Sequence, residues 1–212
     1  MSRVAIKGAD TGTGVFTLES PATNTDRVLV LPDEAGTVLT TVSSLTAGNL
    51  TGSVPASAMP AGSVLQVLQT VKTDTFSTAS ASFVDLTGLS VSITPTSTAS
   101  KILIMFSLPA SSSSSSAWYC NLVRDGTNIV VGDAAGSRVQ TTVSSYISPT
   151  AQSFSMAFQY LDAPSTTSAI TYKLQLKAQS GFTAYVNRAA TDTDNNLYQR
   201  TASSITVMEI AG

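Results

Sequence analysis

Oxygen-bearing side chains cluster near the C-terminal end of the chain, in the segment TDTDNN at residues 191–196. Asp192, Asp194 and Asn196 stand at alternating positions, and carboxylate and amide oxygens are the ligands that calcium takes. The segment lacks the glycine and the distal glutamate of an EF-hand loop. We therefore interpret it as a hydrophilic loop between two strands, whose residues, Asn195 included, are candidates for ligand contact. A calcium site formed by the two aspartates and Asn196 is the alternative.

Aromatic residues follow a run of serines in the segment ASSSSSSAWYC, residues 110–120. Six serines precede Trp118, the only tryptophan, and Tyr119. One hypothesis is an exposed loop in which either ring stacks on a sugar. The alternative is a flexible loop that leads into a strand, with Trp118 in the core. The sole cysteine, Cys120, is predicted to be a small core residue, because a single cysteine permits no intrachain disulfide.

Residues for catalysis are scarce. The chain has no histidine, which excludes Ser-His-Asp and Cys-His nucleophile systems and most metal-hydrolase sites. The 13 acidic residues are scattered, and the one adjacent pair, Asp33 and Glu34, is typical of a solvated turn rather than of a glycosidase dyad. The glycine-rich stretch at residues 8–14 lacks the Lys-Ser/Thr ending of a phosphate loop. We expect no enzymatic activity and no cofactor.

The composition of the chain argues against some classes of binding partner. Only 11% of the 212 residues are charged, the net charge is −2, and 62 residues are serine or threonine. No basic block is present, so we expect no nucleic-acid binding. No apolar run approaches the roughly 18 residues of a membrane span. The first ten residues lack the apolar core of a signal peptide, which predicts synthesis in a cytoplasm without export by the Sec route.

Strand patterns dominate residues 63–212. SFSMAFQY (153–160) and ITYKLQLK (170–177) alternate apolar and polar residues with period 2, as half-buried strands do. KILIMFSL (101–108) is a continuous apolar run, typical of a strand buried on both faces. Asp125-Gly126 and Ser180-Gly181 indicate tight turns. The region predicts about nine or ten strands in a jelly-roll-like β-sandwich.

Residues 1–62 differ from this region. Short apolar islands, among them 28–31, lie between turn residues in a predicted anchor or shaft at 1–45, and a linker rich in Ala, Gly and Pro follows at 46–62. One copy of these islands is too small to offset the backbone entropy of folding, about 1–2 kcal/mol per residue. Several copies wound about a common axis supply the missing contacts. We therefore predict an all-β, intertwined homotrimer, and a disordered N-terminal leader is the alternative.

Five stretches carry a resemblance to a known class of protein. TGVFTLESPATNTDRVLVLPDEAGTVLTT resembles N-terminal segments of bacteriophage tail-fibre and related virion fibre proteins, and LTAGNLTGSVPASAMPAGSVLQV resembles their connector. The stretches that begin at Asp74, Asp162 and Ser203 are similar to C-terminal domains of the same group. The resemblance covers nearly the whole chain. It implies a trimeric virion component with a β-sandwich tip and brings no catalytic residues.

These observations predict a structural virion protein that assembles in the host cytoplasm. The leading hypothesis is a trimeric tail fibre, attached to other virion proteins by its N-terminal segment and to host glycan or lipopolysaccharide by its C-terminal knob. The contact surface is expected in the loops near 110–117, 133–137, 161–168 and 190–199. A head (capsid) fibre or decoration protein is the alternative, and a polysaccharide depolymerase tailspike is disfavoured by the scattered carboxylates.

Overall fold

The computed structural model describes residues 54–147 and 153–212. These residues form β-strands that pair into two sheets, with no α-helix among them. The strands are β1 (Val64–Lys72), β2 (Phe76–Thr78), β3 (Val84–Ile93), β4 (Lys101–Ser112), β5 (Ser116–Arg124), β6 (Thr127–Val130), β7 (Val143–Ile147), β8 (Phe154–Asp162), β9 (Ile170–Ala178), β10 (Ala184–Val186) and β11 (Ser203–Ile210).

Sheet A contains β1, β11, β4 and β8 in that spatial order, and every neighbouring pair is antiparallel. The short strands β10 and β2 extend this sheet beyond the end of β11, where β10 pairs with the last residues of β4. Sheet B has the order β3, β9, β5, and both β6 and β7 pair with β5. Because β6 and β7 pair with successive parts of β5, they occupy the same edge of sheet B.

The chain passes between the sheets in the manner of a jelly roll. If β6 and β7 are taken as one broken strand and the short β2 and β10 are set aside, eight strands remain. Sheet A then holds the first, eighth, third and sixth of them, and sheet B holds the second, seventh, fourth and fifth. This arrangement agrees with the β-sandwich that the strand patterns predict.

The core lies between the two sheets and consists of the inward-facing side chains. Its largest completely buried members come from both sheets and include Trp118, Tyr172, Ile104, Leu174 and Ile205. The period-2 predictions are confirmed in β9, where Ile170, Tyr172, Leu174 and Leu176 are all buried. In β8, Met156, Phe158 and Tyr160 pack against the core, whereas Phe154 is exposed at the beginning of the strand.

The prediction that β4 is buried on both faces is wrong for a single chain. Ile102, Ile104 and Phe106 are buried in the core, but Leu103 and Met105 on the opposite face remain partly exposed. No described element covers them, because the sandwich has two layers and this face of β4 points away from the other sheet. The apolar run therefore contains outward-facing residues that one chain leaves in contact with water.

Tight turns occur where the glycine pairs predict them. Asp125 and Gly126 both have positive φ, 46° and 89°, as the two central residues of a type I′ hairpin turn require. Gly181 has a φ of 84° in the turn that precedes β10. Asn187 also has a positive φ, and its buried amide holds this conformation by donating to the carbonyls of Lys72 and Asp74.

The two ends of the sandwich are distinct. Residues 54–63 lead into β1 at one end of the sandwich, here named the near end, where the backbone of Gly62 and Ser63 is hydrogen-bonded to Ala211. The opposite end is named the far end. Residues 54–63 contain only a short 3-10 turn, Ala56–Ala58, as expected for part of a linker. The predicted anchor at 1–45 and the first part of the linker lie outside the described residues.

Candidate interaction surfaces

The two aromatic candidates have different positions in β5. Trp118 is completely buried among the core residues between the sheets. It therefore has no surface to offer a sugar, so its proposed role as a stacking residue is wrong and the core interpretation describes it. Tyr119 points to the outer face of sheet B, where the ammonium of Lys177 lies 5.6 Å from its ring centroid. Tyr119 is only partly exposed there.

The candidates at 192–196 lie in the loop between β10 and β11, here named the distal loop and defined as residues 188–200. Asp192 forms ion pairs with two arginines, with Arg188 Nη1 at 2.8 Å from Oδ2 and Arg200 Nη2 at 2.6 Å from Oδ1. The Arg188 guanidinium also stacks 4.2 Å above the Tyr185 ring centroid. These contacts fix the base of the loop.

Calcium binding is disfavoured by the same contacts. Both carboxylate oxygens of Asp192 are already paired with guanidinium groups, so a cation would have to displace one of them. Within residues 54–147 and 153–212, no group of three or more His, Cys, Asp or Glu side chains is arranged to hold a metal ion. The polar-loop interpretation therefore fits the geometry of the segment better.

The outer part of the distal loop presents polar groups to solvent. Asp194, Asn195 and Asn196 are exposed, and the backbone N–H groups of Leu197 and Tyr198 donate to Asn195 and so form a turn. A shallow pocket of about 300 Å³ lies in this loop, lined by Asp192, Thr193, Asp194, Asn195, Tyr198 and Arg200. Carboxylate, amide, phenol and guanidinium groups beside one another suit the hydroxyl groups of a carbohydrate.

The loops expected to form one contact surface lie at different places. Residues 113–115 and the distal loop share the far end of the sandwich, as shown by the bonds from Ser113 N to the Thr183 carbonyl and from Ser111 Oγ to the Arg188 carbonyl. The loop at 161–168 lies at the near end, because the last residue of β8, Asp162, pairs with Ile102. The loop at 133–137 lies between β6 and β7 at the edge of sheet B.

Sequence reasoning missed a second surface, the outer face of sheet A. The pairing register places Val67, Met208, Leu103 and Leu161 side by side across β1, β11, β4 and β8. We name these four residues the apolar row. Val67 and Leu161, at its two ends, are 51% and 48% exposed. The continuous apolar run of β4 was the one signal in the sequence that pointed to this face.

The rest of this outer face is also uncharged over most of its length. The neighbouring row contains Gln69, Thr206, Met105 and Gln159, and the next contains Val71, Ser204, Ser107 and Ala157. Among the four long strands of sheet A, Lys101 is the one charged residue that points to this face, and it lies at the near end opposite Ile210. A hollow of about 450 Å³ opens beside Met105, Ala157 and Gln159.

The two edges of sheet A differ. On one side, β1 is joined to sheet B by side-chain hydrogen bonds, from Gln66 Nε2 to the Thr94 carbonyl and from Thr70 Oγ1 to the Ser90 carbonyl. On the other side, β8 pairs only with β4 among the strands that the structure describes. It carries no lysine or proline, the residues with which monomeric proteins commonly protect such an edge.

Buried charges in the sandwich have structural partners. Asp162 of β8 accepts hydrogen bonds from Arg124 Nη1 at 2.7 Å and from the Tyr172 hydroxyl at 2.7 Å, both on sheet B. Burial and this neighbouring carboxylate raise the pKa of Tyr172 well above its usual range. Burial likewise raises the pKa of the Cys120 thiol, so this group stays protonated and unreactive. The arrangement joins the two sheets and offers no accessible nucleophile.

Comparison of the chain with models of known protein families and with curated protein sequences finds no match. The described residues include no helix that is long and apolar enough to cross a lipid bilayer.

Proposed function

We propose that the chain is a structural protein of a bacteriophage virion, a trimeric fibre whose C-terminal β-sandwich attaches to the host surface. The N-terminal segment joins it to other virion proteins, and the sandwich presents the distal loop to host glycan or lipopolysaccharide. The resemblance of residues 13–41 to tail-fibre sequences supports the virion assignment. The location of the protein on the tail, rather than on the capsid, is part of the proposal.

The observation that carries the attachment role is the position of the distal loop, at the end of the sandwich opposite the point where the chain enters it. The chain enters at the near end through residues 54–63, and the distal loop lies at the opposite end. A fibre held by its N-terminal segment would therefore direct residues 188–200 away from the anchor. The exposed polar groups and the shallow pocket of this loop supply hydrogen-bonding groups of the kind that sugars require.

Binding to purified glycans tests the role of the distal loop. We would measure binding of the full chain to an array of bacterial lipopolysaccharides and capsular polysaccharides, and then compare Asp194→Ala/Asn196→Ala with the parent. These side chains are exposed and line or border the pocket, so we expect at least a tenfold loss of affinity on the glycan that binds.

The matched control is Thr167→Ala/Ser168→Ala in the exposed loop at the near end. It removes two polar side chains from a loop at the end of the sandwich opposite the distal loop, and we expect unchanged binding. Equal loss in both variants, or no glycan binding by the parent chain, would contradict the attachment role. Locating the labelled chain in intact particles by electron microscopy would distinguish a tail fibre from a capsid fibre.

A further inference from the structure

The outer face of sheet A has the properties of a buried surface although one chain leaves it exposed. The apolar row crosses all four long strands, and Val71 adds another exposed apolar side chain to the same face. With strands about 4.8 Å apart and about 3.3 Å per residue, the face measures roughly 15 Å by 25 Å. Contiguous apolar patches of this order on single chains commonly mark interaction sites.

Four of the polar side chains of this face already pair with one another. Gln69 Nε2 donates to Thr206 Oγ1 at 2.8 Å, and the hydroxyls of Ser107 and Ser155 lie 3.2 Å apart. Burial of such a face therefore does not leave these groups without partners, which would otherwise cost about 1–3 kcal/mol for each group. A glycan, in contrast, requires hydrogen-bonding groups that are still free. The face consequently suits a dry protein contact better than a sugar.

The charge distribution indicates which protein fits. A partner must present an uncharged and largely apolar surface, because each buried charge without a counter-ion is unfavourable. This chain carries such a surface on sheet A, and the unpaired edge of β8 lies beside it with Phe154 exposed. The outer face of sheet B is excluded as the complementary surface, since it carries Asp85, Lys173 and Lys177.

We propose that the outer face of sheet A, centred on the apolar row, faces the threefold axis and packs against the corresponding faces of two other copies of this chain. This inference rests on the trimer in the proposed function and adds to it the face through which the sandwiches meet. In a closed threefold assembly each copy contacts two others, so the face and the adjacent β8 edge of one copy meet those of its neighbours around the axis.

Thiol labelling of the full chain tests this contact directly. Leu161→Cys places a thiol in the apolar row at the β8 edge, and Val131→Cys places one at an exposed position after β6, away from sheet A. The native Cys120 is buried and does not interfere. In a sample that sediments at three times 21.9 kDa, we expect the Leu161→Cys thiol to react with a maleimide at least tenfold more slowly than the control.

Three outcomes would overturn the inference, and they are distinguishable. Equal labelling rates in a trimeric sample would reject this face while leaving the trimer in place. Protection of Leu161→Cys in a chain that sediments as a monomer would show that a segment of the same chain covers the face. A fully labelled monomer would reject both the inference and the trimer of the proposed function, whereas glycan binding would still be tested separately.

A charge introduced into the contact provides a second measurement. Val67→Lys lies in the apolar row at a position that is already half exposed in one copy, so the sandwich itself should fold, as circular dichroism can verify. We expect it to increase the labelling rate of Leu161→Cys at least fivefold, because a lysine would be buried against a neighbouring copy. Val131→Lys is the matched control and should leave the rate unchanged.

Discussion

The two sheets of this sandwich differ in the face on which their charged residues lie. Sheet B places Asp85, Lys173 and Lys177 on its outer face, where Lys173 lies 2.6 Å from Asp85. The long strands of sheet A carry two acidic residues, Asp162 and Glu209, and both point into the sandwich. Their outward-facing residues are apolar or neutral, apart from Lys101 at one end. Sheet B therefore has the surface of a solvated sheet, and sheet A does not.

This difference shows that the same alternating pattern can serve two purposes. In β9 the polar alternate residues are Thr171, Gln175 and two lysines, which keep the outer face hydrated. In β4 and β11 the alternate residues include Leu103, Met105 and Met208. These apolar side chains stabilise the protein only when another surface covers them and removes them from water. A one-sided sheet and a two-sided sheet thus occur in one domain, and in the proposed assembly the layer that covers sheet A is supplied by other copies of the chain.

The largest effect is expected at the charge that joins the two sheets. Asp162→Ala removes the acceptor for Arg124 and Tyr172, so a partly buried cation and a phenol lose their partner. We expect the free energy of unfolding to fall by about 3 kcal/mol, measured by urea denaturation at fixed chain concentration. A loss below about 1 kcal/mol, the range of exposed ion pairs, would mean that the inward charges of sheet A are no more important than outward ones.

A smaller effect is expected at Glu209, the other inward carboxylate. Burial alone would raise its pKa, but the polar groups of Ser100, Gln66 and Thr96 around it outweigh burial, and the pKa lies below the ordinary value of 4.5. Its folded-state pKa is lower than its unfolded-state pKa, so the ionised group stabilises the fold above pH 4.5. This contribution is lost as the pH falls through the folded-state pKa.

Glu209→Gln keeps the shape of the side chain and removes its charge. We expect a loss of about 1–2 kcal/mol at pH 7, because hydrogen bonds to a charged acceptor are stronger than neutral ones. The fall in stability between pH 5 and pH 3 should also become shallower than in the parent. Thermal unfolding at a series of pH values measures both effects. Identical pH profiles for parent and variant would show that another carboxylate is responsible.

The smallest effect is expected on the outer face of sheet B. Asp85 accepts hydrogen bonds from Lys173 and Gln175, which lower its pKa, but it is more than half exposed. Water screens such a pair, so Asp85→Ala should change stability by no more than about 1 kcal/mol. The effect should shrink further in high salt. A change as large as that of Asp162→Ala would remove the distinction between the inward and outward charges.

Most of the all-β architecture can be predicted from the sequence. The period-2 alternation of β9 assigns each residue to the correct face, and Asp125-Gly126 specifies a hairpin turn because both positions need positive φ. The short strands β2 and β10 are not predictable in the same way. They contain three residues each, too few to establish a period, and they exist because β4 extends past the end of β11 and offers them a partner.

The candidate surfaces are only partly predictable. Asp194 and Asn196 do lie in an exposed loop, as their composition indicates, but the pairing of Asp192 with Arg188 and Arg200 depends on how that loop folds back. Trp118 follows six serines, which is typical of a surface loop, yet three of those serines belong to the end of β4 or the beginning of β5, and only 113–115 form the turn between the strands. Composition alone does not show that the strand turns its tryptophan inward.

By itself the sequence determined that this protein is a β-sheet protein with a neutral, hydroxyl-rich surface and no histidine-based chemistry, because periodicity and composition are local properties of the chain. The tertiary structure decided which residues meet. Val67, Met208, Leu103 and Leu161 are far apart in the sequence, and antiparallel register alone brings them into one row. Register depends on the pairing of distant strands, which no short segment of the sequence encodes.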